Sequence, residues 1–218
     1  MTNQPLRKKI FDTRLVEYSL PLLIGVIAFV AITGGSIIWP QHISWLMWGD
    51  PATHHLGWAF FRHTPLLQFP LGANPNYGMA IGSSIVYTDS IPLFAFLFKP
   101  FNSVLPETFQ YTGLWILCSF MLQSFFAYKL LSLYTENRAL KLLGCVFFVL
   151  EPTSLWRLHV HYTLVCHWPL LAGIYLYLVN RFSIKQWLAL LCITVLIHGY
   201  LFIMVAAIWA ADLLQSHL

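Results

Sequence analysis

The sequence predicts an all-α integral membrane fold: a multispan helical bundle of about five to six spans, with a long first extracytoplasmic loop that contains interfacial helices. Three observations point there. Of the 218 residues, 58% are hydrophobic and only 9% are charged, whereas a soluble domain carries roughly 25% charge. Apolar runs close to the length that a hydrocarbon core requires recur from Ser19 onward. The basic residues gather at the ends of those runs, where they orient a membrane protein. The last observation also disposes of the net charge of +4 as a nucleic-acid signal. Cys118, Cys145, Cys166 and Cys192 lie scattered in apolar segments without C-x-x-C spacing and read as buried small hydrophobes.

Residues 1–18 read as a cytoplasmic tail, basic at Arg7, Lys8, Lys9 and Arg14. Residues 19–39 read as the first transmembrane helix, retained because the run is longer than a signal-peptide core and has no A-x-A-like cleavage site. Residues 40–108 form the extracytoplasmic loop, too long for an ordinary connection. Within it, Ile43 to Arg62 has helical character, and Asp50-Pro51 looks like a helix start with the aspartate as cap. From Gln68 to Ser84 the density of Gly, Pro and Asn predicts an ordered, turn-rich segment.

Ile91 to Leu105 is apolar but short and is interrupted by Lys99-Pro100. If it crosses, Lys129, Arg138 and Lys141 fall outside; if it lies flat in the outer interface, all three are cytoplasmic, so charge favours the flat helix. Residues 109–218 then form the bundle. Phe109 to Leu131 runs inward, Ala139 to Leu150 outward, and Thr163 to Asn180 inward, with an outer loop near Glu151 to His161. Nine of the twelve Lys and Arg then lie inside; the exceptions are Arg62, Lys99 and Arg157. Gln186 to Gln215 would span about 45 Å as one helix, too long for a core of roughly 30 Å. A break at His198-Gly199-Tyr200 is expected, giving two short helices that meet near the outer face.

This topology collects Asp50, His54, Arg62, Asp89, Glu151, Arg157, His161, His167 and His198 on the outer side. Carboxylates, imidazoles and guanidinium groups under a turn-rich loop suit a phosphorylated ligand. A hard dication, Mg²⁺ or Mn²⁺, would take oxygen ligands such as Asp50 and Asp89 and bridge them to phosphate, and arginine binds phosphate bidentately. Each residue also has a plainer reading. Asp50 and Asp89 both stand where a helix cap would stand, and Arg157 has Glu151 within six positions as an ion-pair partner. Neither the His54, His55, His63 trio nor the His159, His161, His167 trio has the spacing of a closed zinc site.

Several local patterns carry a resemblance. They are Gly49-Asp50 followed by His54-His55-Leu56-Gly57-Trp58, then Phe69-Pro70-Leu71-Gly72 with Asn74-Pro75-Asn76-Tyr77-Gly78, and Gly82-Ser83-Ser84-Ile85-Val86 with Asp89-Ser90. Further along come Arg157 with His161, the His167-Trp168 pair, His198 with Tyr200, and Ala211-Asp212. Together they resemble a bacterial multispan family that is itself similar to the C-type, polyprenyl-phosphate-sugar-dependent glycosyltransferases.

The resemblance implies a multi-pass protein of the bacterial plasma membrane, N-terminus cytoplasmic. It implies transfer of a sugar from a polyprenyl-phosphate carrier to an acceptor on the extracytoplasmic side. Asp50, His54 and Asp89 would be the catalytic group, with Arg62, Arg157, His161, His167 and His198 on substrate and phosphate. Two departures stand out. No D-x-D or E-x-D pair surrounds Asp50, and the chain stops after few spans, which implies a truncated N-terminal part that works with a missing C-terminal region or another membrane subunit. A transporter or lipid-flipping component, and a non-catalytic scaffold of the same fold, are the alternative readings.

Overall fold

The computed structural model describes residues 4–179 and 181–217, and about 68% of the chain is helical. The side chains of Arg7, Lys8, Lys9 and Arg14, on which the cytoplasmic placement of the N-terminus rests, lie outside the described part, as does Asn180. Nine α-helices are present among the described residues: α1 (Gln4–Thr33), α2 (Gly49–Phe61), α3 (Pro92–Phe98), α4 (Thr112–Leu131), α5 (Arg138–Val149), α6 (Pro152–Arg157), α7 (Trp168–Leu178), α8 (Ile184–Ile197) and α9 (Gly199–His217). The only strands there are β1 (Ala73–Asn74) and β2 (Ser83–Ser84), an antiparallel pair with Ala73 opposite Ser84.

Three stretches are long and apolar enough to cross a membrane: α4, the run Arg138–Arg157 formed by α5 and α6, and Gly199–Ser216 of α9. The other apolar helical stretches, Glu17–Thr33, Pro92–Phe101, Tyr162–Leu178 and Ile184–Ile197, run to 10–17 residues. The first differs at both ends from the predicted 19–39. It is helical from Gln4, and it stops at Thr33 because Gly34 and Gly35 both take positive φ, 69° and 74°. L-residues avoid that region and glycine does not. Thr33 Oγ1 folds back onto the Phe29 carbonyl at 2.7 Å and accepts from the Gly35 amide, which closes the helix end.

Helix α4 is the central post, with α1, α5 and α7 packed on it. Gly25 of α1 lies directly against the α4 backbone at Phe120 and Met121, and a side chain there would hold the helices apart. Toward the C-terminal end of α4, Tyr128 donates to Glu17 Oε1 at 3.0 Å and Lys141 Nζ lies 3.6 Å from the same oxygen, tying α4, α1 and α5 together. Before the N-terminus of α4 the buried Gln110 donates to the carbonyls of Ile37 and Trp39 and accepts from the Gly113 amide. One side chain thus satisfies three backbone groups.

The expected break in the last apolar run is present. His198 adopts an extended backbone (φ −163°, ψ 138°) between α8 and α9, which fold back on each other. The far end of this hairpin is latched by Trp187 Nε1 donating to Asp212 Oδ2 at 2.7 Å, both groups buried. The Ile91 to Leu105 segment is a seven-residue helix followed by a 3-10 turn, Lys99–Phe101. At 1.5 Å per residue α3 covers about 10 Å, too short to span. It packs on α8 and presents Phe94 and Phe98 to Tyr111 and Trp115 at the head of α4.

Gly113 sits against the Ile37 carbonyl with no room for a methyl group, whereas a methyl on Gly173 would make only ordinary contacts at 3.5–3.8 Å. Gly113→Ala is expected to destabilise the protein by about 1–3 kcal/mol and Gly173→Ala to leave it near neutral, as read from thermal unfolding in detergent.

Candidate active site

The loop between β2 and α3 runs through Thr88-Asp89-Ser90 and holds two non-glycine residues in the left-handed region: Asp89 at φ 51° and Ile91 at φ 50°. Aspartate visits that region at modest cost, but a β-branched isoleucine does so only where its surroundings enforce it. Those surroundings come from three other segments. The Ser90 hydroxyl donates to the His54 carbonyl of α2 at 2.7 Å and lies 2.7 Å from the Thr88 hydroxyl. Tyr111 donates its hydroxyl to the Ser90 carbonyl, and Thr163 Oγ1 donates to the Asp89 carbonyl at 2.7 Å. Helix α2 approaches this closely because position 57 is glycine; a Cβ there would run into the Thr88 and Ser90 hydroxyls.

Around the Asp89 carboxylate stand three imidazoles from distant parts of the chain. His198 Nε2 lies 3.1 Å from Oδ1. Its Nδ1 accepts the Tyr200 amide at 3.1 Å, so the neutral ring carries its proton on Nε2 and donates it to Asp89. His54 Nε2 stands 3.8 Å from Oδ2. His161 completes a group in which one ligand atom each from His54, Asp89 and His161 all lie within 4.8 Å of one another.

The electrostatics follow from burial and neighbours. Burial works to raise the Asp89 carboxyl, but the His198 hydrogen bond and the fields of His198, His54 and His161 outweigh it and hold the group below the ordinary carboxylate value. Burial lowers His54, against the pull of Asp89, so its ring is neutral near pH 7. The 3.8 Å contact between them is therefore not an ion pair. His55, one position on, is lowered by burial and then by Arg62.

Two cavities open on this group. The larger, about 640 Å³, is lined by Asp89, Arg157, His161 and His198 together with Val86, Leu164, Val195 and Ile197. The smaller, about 180 Å³, is shared by Asp50, Thr53, His54, Asp89 and His161. Of the residues expected to form one site, Asp50, His54, Asp89, Arg157, His161 and His198 line these two adjoining spaces. Among the described residues no carboxylate pairs with Arg157, because Glu151 is taken up elsewhere.

Two expected members are placed otherwise. Arg62 is buried at the end of α2, where Nε donates to Asn102 Oδ1 and Nη1 to the carbonyls of Pro106 and Glu107 at 2.9 and 3.0 Å; its donors hold a loop and do not face the cavities. His167 Nδ1 lies 2.7 Å from Glu151 Oε1, and Glu151 also caps α6 by accepting from the Thr153 and Ser154 amides. Asp50 is in the first turn of α2 and makes no cap, since the helix begins one residue earlier, at Gly49. Asp89 does not cap α3 either, which is entered through Ile91 with no side-chain cap; it ends the 3-10 turn Ile85–Thr88 instead. Neither sequence-local histidine trio forms; one member of each, His54 and His161, meets Asp89. Thr163, Ser90 and Tyr111, which fix that aspartate, carry no sequence signal beyond the Thr88-Asp89-Ser90 pattern.

The shifts of His54 and Asp89 have the same sign. The unfolded chain binds more protons at each, His54 below its ordinary value of 6.5 and Asp89 below its ordinary 3.8, so both remove stability as pH falls. The melting temperature is expected to decline from pH 7 to 5 and to decline less in His54→Gln. A further loss below about pH 4 is expected to be smaller in Asp89→Asn.

No curated protein and no solved structure matches the chain significantly. A family model does match, over residues 22–218, a stretch that takes in every side chain of the site. The chain belongs to that family, described as a domain of unknown function, DUF6311.

Proposed function

We propose that this chain is an integral protein of the bacterial plasma membrane, its helices arranged in about five to six spans. We propose further that it acts as a C-type-like glycosyltransferase, moving a sugar from a polyprenyl-phosphate carrier to an acceptor hydroxyl on the extracytoplasmic side. One observation carries the reading: the larger cavity is amphipathic. Val86, Leu164, Val195 and Ile197 in its lining suit the first isoprenoid units, and Arg157 in the same lining suits the phosphate that joins lipid to sugar. Asp89 and the histidines face the sugar end.

In this reading the acceptor hydroxyl enters the smaller recess. Its oxygen forms a bond to the anomeric carbon while the bond from that carbon to the phosphate oxygen breaks. The electron pair leaves on the polyprenyl phosphate, where Arg157 balances the gathered charge. The hydroxyl proton passes to Asp50, an exposed carboxylate at the lip of the recess. Asp89, kept ionised by His198, orients the sugar side, and a bound dication would add charge neutralisation at the phosphate.

Membranes containing the full chain, supplied with a labelled polyprenyl-phosphate sugar, should form glycosylated product. Asp50→Asn is expected to lower the rate by about 10²-fold or more, and Arg157→Gln to weaken use of the lipid donor. Unchanged transfer in both variants would overturn these roles, and absence of any product from the wild-type chain would overturn the activity.

A further inference from the structure

His54 is a buried imidazole, 5% exposed, whose hydrogen-bonding capacity is not met by the protein. Its Nδ1 has no partner, and its Nε2 faces Asp89 at 3.8 Å, beyond hydrogen-bond reach. Nδ1 is the atom without a partner; Nε2 stands instead toward a carboxylate oxygen and a second imidazole, the mixed donor set that a transition-metal dication bridges. The His54, Asp89 and His161 ligand atoms lie within 4.8 Å of one another. A tetrahedral ion with bonds of roughly 2.0–2.1 Å needs ligand atoms about 3.3 Å apart. The 3.8 Å separation of His54 and Asp89 is close to that edge, and the half-buried His161 offers a ring nitrogen within 4.8 Å of both.

We propose that His54 Nε2, an Asp89 carboxylate oxygen and His161 form a binding site for a transition-metal dication of the Zn²⁺ class, with a free coordination position toward the cavity that contains Arg157. The proposal deepens the transferase reading by naming its metal, and it departs from a hard, all-oxygen Mg²⁺ site on Asp50 and Asp89. Two imidazoles and one carboxylate favour Zn²⁺, Fe²⁺ or Mn²⁺ over Mg²⁺, which demands oxygen and keeps its water.

The frame is built before the ion arrives. Asp89 is pinned through its own carbonyl by Thr163, and α2 beneath His54 is pinned by Ser90. The His161 amide donates to the Arg157 carbonyl at 2.8 Å. His198 holds the Asp89 oxygen Oδ1, leaving Oδ2 toward His54, the outer-layer support that metal-bound carboxylates commonly have. Arg157 is then positioned to share a phosphate oxygen with the open position.

The test uses the full chain purified in detergent, stripped with a chelator, and titrated with Zn²⁺ against a chromophoric competitor; Co²⁺ absorption reports the ligand geometry. One Zn²⁺ per chain is expected, with at least a tenfold loss of affinity in His161→Gln and in Asp89→Asn. His198→Gln is expected to lose about 10- to 100-fold, and the exposed His63→Gln none. Helix content by circular dichroism checks each variant, and His161→Gln decides the matter should the buried His54→Gln fail to fold.

Equal Zn²⁺ affinity in wild type and His161→Gln, or displacement of Zn²⁺ by equimolar Mg²⁺, would overturn the site. Sugar transfer that survives the chelator also overturns it while leaving the transferase reading in place. Tight Zn²⁺ binding without any transfer does the reverse.

Discussion

The candidate site and the elements around it depend on one pinned stretch of backbone, Thr88 to Ile91. A left-handed aspartate followed two residues later by a left-handed isoleucine does not persist unaided. It persists here because α2, the head of α4 and the turn before α7 each contribute one hydrogen bond to it. Those bonds fix the loop, and the loop in return fixes the spacing of the three elements. An unsatisfied polar group buried among so much apolar surface costs on the order of 1–3 kcal/mol, so misplacing any one of the three elements exposes the others to that cost.

Beneath the pinned loop lies an aromatic bed that makes the arrangement stiff. Trp58, Phe94, Phe98 and Tyr111 contact one another edge-on or stacked, at centroid distances between 5.1 and 5.9 Å. Rings carry large buried area with few rotatable bonds. Tyr111 belongs to both layers: its ring is in the bed and its hydroxyl is in the clamp. The Trp115 indole adds a second connection, donating to the Tyr162 carbonyl at 2.9 Å and so binding α4 to the turn that carries His161 and Thr163. The site is therefore carried by the rigid head of α4, as functional groups that must hold their geometry commonly are.

The site also draws on the unusual corner at His198. Helices α8 and α9 reverse direction through one extended residue, and that residue's imidazole is spent on both sides, accepting from Tyr200 and donating to Asp89. With the corner tied to Asp89 at one end and Trp187 latched to Asp212 at the other, the hairpin is held at both ends. Two polar interactions thus set the placement of a pair of helices whose surfaces are otherwise apolar and nearly featureless.

Hydropathy, charge and turn chemistry are local and additive, and features that rest on them could be read directly. The helical class, the turn-rich stretch from Gln68 to Ser84, the shortness of Ile91 to Leu105 and the break at His198 all followed from residue type and order. What needed the tertiary structure was pairing. Arg62 and Arg157 look alike in sequence, yet one is consumed by the carbonyls of Pro106 and Glu107 while the other lines a cavity. His167 and His161 are six positions apart, yet one is taken by Glu151 and the other reaches Asp89. Positions 54, 89, 161 and 198 meet only because of where α8 ends, which way the imidazoles turn, and how closely a glycine lets α2 approach. Those are properties of packing between segments far apart in the chain, and no window of sequence contains them.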